Sequence, residues 1–292
     1  MNKTTVVTFT DFSAPSEIAV QRAALMARPF GATLQLVYRE AGAGARLADR
    51  LARLSMRSTQ LARRWDIEVR NPSGRPESVQ SLLAACTPGT MVVVDPATAR
   101  SLRIGRGWLG GHSLIDDATC PVMLVQRDCA RAYETVLVAY DTPAEARRLG
   151  AVAVAWTQAA MLDMFRVPPP PARSSRADAA QQGQERPPPW PSAPGVPRVR
   201  HSDHLSSRRN RFLHRGGTAD PVRPLAHHAE FGDADLVVVT GRPRSLVDRM
   251  LGRSFQQRLA RVLACDLLVY PQLRSAAEAY TRLKSSWLGS RA

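Results

Sequence analysis

The side chains with the best case for chemistry are Asp11 and Ser13, which end the apolar run Val6–Thr10, and the glycine-bearing loop that follows Met91–Val94. If those two runs are neighbouring strands of an open parallel sheet, their carboxyl ends flank the crevice where such sheets bind ligands. Small residues there let backbone N–H groups approach a phosphate, and the helix behind the loop adds its N-terminal dipole. The loop also holds a literal GxGxxG, Gly105 to Gly110. A dinucleotide fingerprint needs a strand directly before its first glycine. Here Ser101–Ile104 carries an arginine and follows a loop, so these glycines read as flexible loop.

Other chemistry finds less support. The chain has no HExxH, no Walker A and no Ser/His/Asp set at matching structural positions, and it reads as non-enzymatic. His201, His204 and His214 fall in a patternless segment. His227 and His228 are adjacent on a helix and point to opposite sides, which speaks against a metal. Asp116-Asp117 and Asp233/Asp235 read as helix or loop surface. Four cysteines, Cys86, Cys120, Cys129 and Cys265, lack CxxC spacing, which supports a reducing compartment and argues against a metal knuckle. Cys120 and Cys265 each stand just before a closing strand and read as core packing.

The elements that must position these residues occur twice. Leu236–Val239 is a β-branched run of the kind buried on both faces; it meets Gly241 and Pro243, then a helical pattern (Phe255, Leu259, Val262, Leu263), then Leu267–Tyr270. Met91–Val94, the loop Ala97–Gly111, a helical turn His112–Ala118 and Pro121–Val125 repeat that unit. The openings match as well: VVTFTDFSAPSEIAVQRAA from Val6 and VLVAYDTPAEARRLGAVAV from Val136 both run a strand into an aspartate, a hydroxyl residue and an alanine-rich helix. The chain is therefore one module in tandem.

In copy one, Ser13 or Ser16 caps a helix with Ile18, Ala19, Ala23, Met26 and Ala27 inward, ended by Pro29 and Gly31. Strand Thr33–Tyr38 follows, then a basic helix from Ala45 to Arg64 with Leu47, Leu51, Leu54 and Leu61 inward. A short strand lies at Asp66–Arg70, and a helix from Gly74 reaches Cys86. Copy two begins with strand Thr135–Tyr140 and helix Pro143–Thr157, and helix Pro221–Phe231 resumes it.

DFSAPSE with its Ala/Arg helix, LQLVY, and the strand–loop–helix–strand unit ending CPVMLVQ resemble the universal stress protein family, and its tandem two-domain members above all. The resemblance covers nearly all of 1–127, but only 133–158 and 219–272 of the second copy. It implies an α/β fold of two tandem open parallel five-stranded sheets, Rossmann-like, with strand order 3-2-1-4-5 and the second incomplete. Domain one is then 1–130 and domain two 131–272, with an amphipathic tail over 273–292 that docks on the surface or a partner.

Nucleotide-binding members of that family carry Gly-x2-Gly-x9-Gly-Ser/Thr after strand four. Registered on Gly110, this chain reads Ala97, Arg100, Gly110, Gly111: the spacing survives, both leading glycines are replaced and the hydroxyl is missing. The resemblance thus implies a nucleotide site, with ATP as its ligand, at Asp11, Ser13, Val37, Ala97, Gly110, Gly111, His112 and Ser113. Asp11 reads equally well as a cap for the following helix. In copy two the corresponding residues are Asp141, Gly241, Gly252 and Ser254; Arg244 stands at the second glycine and the loop is short, which resembles the branch that binds no nucleotide. The family's pseudo-dimer implies pairing of the two copies, or of two chains, through Val122–Val125 and Leu267–Tyr270.

Size and composition agree with two cores: 292 residues, 44% apolar. No window approaches the ~18 apolar residues that span a bilayer and no leader precedes the first strand, so the expected place is the cytoplasm, away from membranes. The net charge is +15, and 166–215 supplies about half of it, with ten arginines against three acids. A run of this composition is suited to nucleic acid or acidic lipid, through counterion release. It lacks interleaved aromatics and any nucleic-acid fold, so a nucleic-acid partner is the weakest reading. PPPPARSS and RPPPWPSAPGVP show no periodicity. The interval 166–215 is expected to be disordered, or an out-of-frame stretch of a GC-rich gene that regains frame near Thr218.

Overall fold

The computed structural model describes residues 4–39, 47–72, 82–83, 86, 89–104, 112–117, 119–127, 131–167, 198–202, 221–241 and 254–271. The chain divides into two compact units, one built mainly on Met1–Arg131 and the other mainly on Ala132–Thr240 with Phe255–Leu267.

In the first unit, β1 (Thr5–Thr10) lies parallel between β2 (Thr33–Tyr38) and β4 (Thr90–Val94), with Val6 opposite Leu34 on one side and Met91 on the other. Strand β3 (Val69–Arg70) extends the β2 side, and β7 (Val122–Leu124) pairs with β4. The order is β3-β2-β1-β4-β7, the expected 3-2-1-4-5. Apolar runs suit these central strands because both faces are covered: Val6, Met91, Val92, Val93 and Val122 are fully buried.

Helix α1 (Ala14–Ala27) starts at Ser13, whose side chain accepts the Ser16 N–H, and Pro15 fits its first turn. A 3₁₀ turn and Gly31 in the left-handed region (φ 54) end it. Ala19, Ala23, Met26 and Ala27 are buried as expected, Ile18 only in part, and Arg22 joins them by donating to the Arg131 carbonyl at 2.6 Å. Helix α2 (Leu47–Trp65) buries Arg50, Leu54, Ser58 and Leu61. Leu51, expected inward, is 54% exposed, because the buried stripe runs one residue earlier at that turn.

The segment after β4 also differs from expectation. It starts with a helix, α3 (Pro96–Ser101), capped by Asp95. Then β5 (Arg103–Ile104) pairs antiparallel with β6 (His112–Ser113), and α4 is only Leu114–Asp117. Residues 105–111 lie outside the described residues, as do most of the expected helix from Gly74 and the whole 273–292 tail.

The second unit corrects the expectation of an incomplete sheet. After β8 (Thr135–Tyr140) and α5 (Pro143–Thr157), strand β9 (Met161–Arg166) pairs parallel with β8, Val136 opposite Leu162. Strand β10 (Arg198–Ser202) then pairs parallel with β9, Arg200 opposite Asp163. Both were missed, and β10 lies inside the interval expected to be disordered or out of frame. Helix α6 (Val222–Phe231), β11 (Leu236–Gly241), α7 (Phe255–Val262) and β12 (Asp266–Pro271) complete the order β10-β9-β8-β11-β12, again 3-2-1-4-5. Asp235 clamps the register by accepting the N–H groups of Glu134 and Thr135 at 2.9 and 3.0 Å. In α7, Leu259 is buried, whereas Val262 is 53% exposed and Gln256 is buried instead.

Candidate functional site

The crevice of the first unit lies beyond the C-terminal ends of β1, β2 and β4, and its residues come from three turns. At the end of β1, Asp11 Oδ1 accepts the Ser13 N–H at 2.9 Å. Burial alone would push its carboxyl up, but the hydrogen bonds, those with Ser13 foremost, outweigh it and hold the group below its ordinary value. Asp11 thus braces the turn before α1 by holding the N–H of Ser13, the residue that caps the helix. Phe12 between them sits at φ 62, a left-handed conformation rare for an aromatic residue. The Thr10 hydroxyl oxygen accepts its N–H at 3.0 Å, its ring tilts against Tyr38 at 5.5 Å, and the Arg53 guanidinium lies 4.9 Å from its centre.

Val37 is fully buried in β2, opposite Phe9. Ala97 is the second residue of α3, and its N–H is engaged: Asp95 Oδ1 accepts the N–H of Ala97 at 2.8 Å and that of Thr98 at 2.9 Å. These are the donors a phosphate would use, and an internal carboxylate already holds them. His112 and Ser113, expected to open a helix, pair with Ile104 and Arg103 as β6. Gly110 and Gly111 lie outside the described residues.

Two residues of this crevice escaped sequence reading. Asp95-Pro96 is an N-cap signature, aspartate before proline in the first turn, and a search for caps would have found it. Arg39 left no signal. It follows β2, and its guanidinium reaches the Thr98 carbonyl at 3.5 Å and the Ser101 hydroxyl, so it crosses to the segment after β4.

The second unit uses its corresponding edge differently. Thr142 caps α5, accepting the Glu145 N–H at 3.2 Å, while Glu145 Oε2 reaches back past the cap and accepts the Asp141 N–H at 2.8 Å. Burial, then the neighbouring Asp141, push the Glu145 carboxyl up, against a hydrogen bond with Thr240. Arg148 donates to Thr240 Oγ1 and Gln256 Nε2 to Thr240 O, each at 3.3 Å. Gly241 proves to be the last residue of β11, not a loop residue; a Cβ there would stand 3.4 Å from the Tyr270 carbonyl and from Val269. Ser254 is buried just ahead of α7, and Gly252 lies outside the described residues.

A buried charged group holds the outer strands of this unit. Asp163, 2% exposed, accepts from Arg200 at 2.5 and 3.1 Å and lies 3.0 Å from His228 Nε2. The adjacent His227 stacks on Phe231 at 4.5 Å. The two histidines thus diverge, as expected from helical spacing.

With this geometry in view, residues 132–271 match the model of the Universal stress protein family. Residues 132–271 are a universal stress protein domain. Strands β9 and β10 explain why this half, whose middle looked spoiled, still carries all the strands of that fold. A functionally unknown protein from Pseudomonas aeruginosa PAO1 is similar in fold, with TM-score 0.55 at 15% identity over 97% of this chain and 98% of that one. So is a universal stress protein from Archaeoglobus fulgidus, with TM-score 0.54 at 14% identity over 92% and 97%. No curated protein matches the chain. Among the described residues, no helix is long and apolar enough to cross a membrane.

Proposed function

We propose that this chain is a non-enzymatic stress-response protein of the cytoplasm that acts by binding a partner, either a second copy of itself or another protein, rather than by using ATP. The observation that carries this reading is the Asp95 carboxylate on the Ala97 and Thr98 N–H groups. A nucleotide phosphate would have to displace that carboxylate while remaining close to its negative charge. In the second unit, Asp141 and Glu145 lie at the end of β8, the position Asp11 takes in the first unit, and they set two carboxyl groups at that edge of the sheet, which disfavours an anion there.

Equilibrium binding of a fluorescent ATP analogue to the full chain at neutral pH is the test. No saturable binding up to millimolar nucleotide is expected. Saturation in the micromolar range would transfer the reading to an ATP-binding switch. For the partner, sedimentation over a wide concentration range separates self-association from recognition of a different protein.

A further inference from the structure

Two cysteines that sequence spacing left unrelated meet in the first unit. Cys86 and Cys120 are 7% and 2% exposed, and each just precedes a strand, β4 and β7, at the N-terminal edge of the sheet. The segments are tied together by the Thr119 hydroxyl, which donates to the Cys86 carbonyl at 3.1 Å. Cys86 Sγ–H donates to the Leu82 carbonyl at 3.3 Å, and Cys120 directly follows Thr119, so the Thr119–Cys86 bond brings the two cysteines into one neighbourhood. We propose that Cys86 and Cys120 are a redox-active thiol pair that hydrogen peroxide closes into an intramolecular disulfide.

The assignment of roles follows from the contact. The Cys120 thiol supports charge on the Cys86 sulfur and holds Cys86 below its ordinary thiol range, although burial opposes this. The same contact, with burial, pushes Cys120 far up. Cys86 is also the more accessible of the two, 7% exposed against 2%, so the nucleophile is Cys86 and the resolving group is Cys120. Cys86 sulfur attacks one peroxide oxygen, the O–O bond breaks, and the departing hydroxide takes a proton to become water; Cys86 is left as a sulfenic acid. Cys120 sulfur then attacks Cys86 sulfur, the S–O bond breaks, and the departing hydroxide takes the Cys120 proton as a second water. The two thiols lose two electrons in all, and peroxide gains them.

The bond would close a ring around β4, α3, β5, β6 and α4, all of which lie between the two cysteines in sequence. It forms at the sheet edge opposite Asp95 and Arg39, so it braces the module without competing for the crevice. This inference does not rest on the proposed function, because peroxide reacts with the thiols whether or not a nucleotide binds.

The test uses the full chain, reduced, freed of reductant and exposed to stoichiometric hydrogen peroxide, then alkylated in denaturant and mapped by peptide mass spectrometry. The expected product is one linked peptide pair containing Cys86 and Cys120, lighter by two hydrogens and released by dithiothreitol. Cys120→Ser should leave Cys86 as a sulfenic acid that dimedone traps, and Cys86→Ser should leave Cys120 fully alkylatable. Should a variant fail to fold, the mapping of the unaltered chain still decides. Recovery of both cysteines as free thiols, or a disulfide joining Cys129, Cys265 or a second chain in their place, overturns the proposal.

Discussion

Glu145 is the residue whose protonation the fold alters with a measurable consequence. Its folded carboxyl titrates above the ordinary value of 4.5, because burial and Asp141 disfavour the charge. The folded state therefore holds a proton that the unfolded chain has released. That contribution to stability is complete below the ordinary value and is lost as pH rises through the higher folded one. Glu145→Gln keeps an oxygen for the Asp141 N–H but cannot ionise. Its melting temperature should match the parent at acid pH and exceed it by a few degrees at neutral pH, as a thermal-melt series across pH would read. A parent curve that runs parallel to the variant across that range would sink the account.

At the scale of elements, the two long helices of the first unit show what periodicity reveals. In α2 the leucine pattern led to the right helix but placed Leu51 inward, whereas Leu54 and Leu61 are the buried members. Leu54→Ala should cost about 2–5 kcal/mol by opening a cavity, and Leu51→Ala within about 0.5 kcal/mol. Urea denaturation of the pair checks this.

Strands β9 and β10 make the opposite case. MLDMFR and RVRHS place charged residues mid-strand and contain one β-branched residue between them, so neither announces a buried strand. They pair because Asp163 finds Arg200 and His228 across the fold. Removing Arg200 leaves a buried carboxylate short of partners. Because Arg200 is half-exposed and partly screened, Arg200→Ala should cost only about 1–2 kcal/mol. Amide exchange should speed up over 161–166 while 5–10 stays protected, and a slowed or unchanged 161–166 would contradict the anchoring role.

For the whole molecule, ligand linkage gives the sharpest check on the proposed function. A ligand at one hundred times its Kd adds about 2.7 kcal/mol to stability, which is several degrees for a domain of this size. Millimolar magnesium-ATP should leave the melting temperature of the full chain within about one degree. A rise of several degrees would mean that Asp95 yields to a phosphate.

The strand order came from the family resemblance; what the sequence alone determined was the duplication, the parallel α/β class and most helix limits. These rest on local signals, apolar runs, caps and glycine or proline stops, repeated in each copy at positions such as Val6–Thr10 and Val136–Tyr140. Only the tertiary structure decided that the second sheet keeps its outer strands, that Asp95 and Arg39 fill the first crevice, and that Cys86 meets Cys120. Each of those joins residues separated along the chain, through a side-chain contact whose strength depends on burial, and burial is a property of the folded whole.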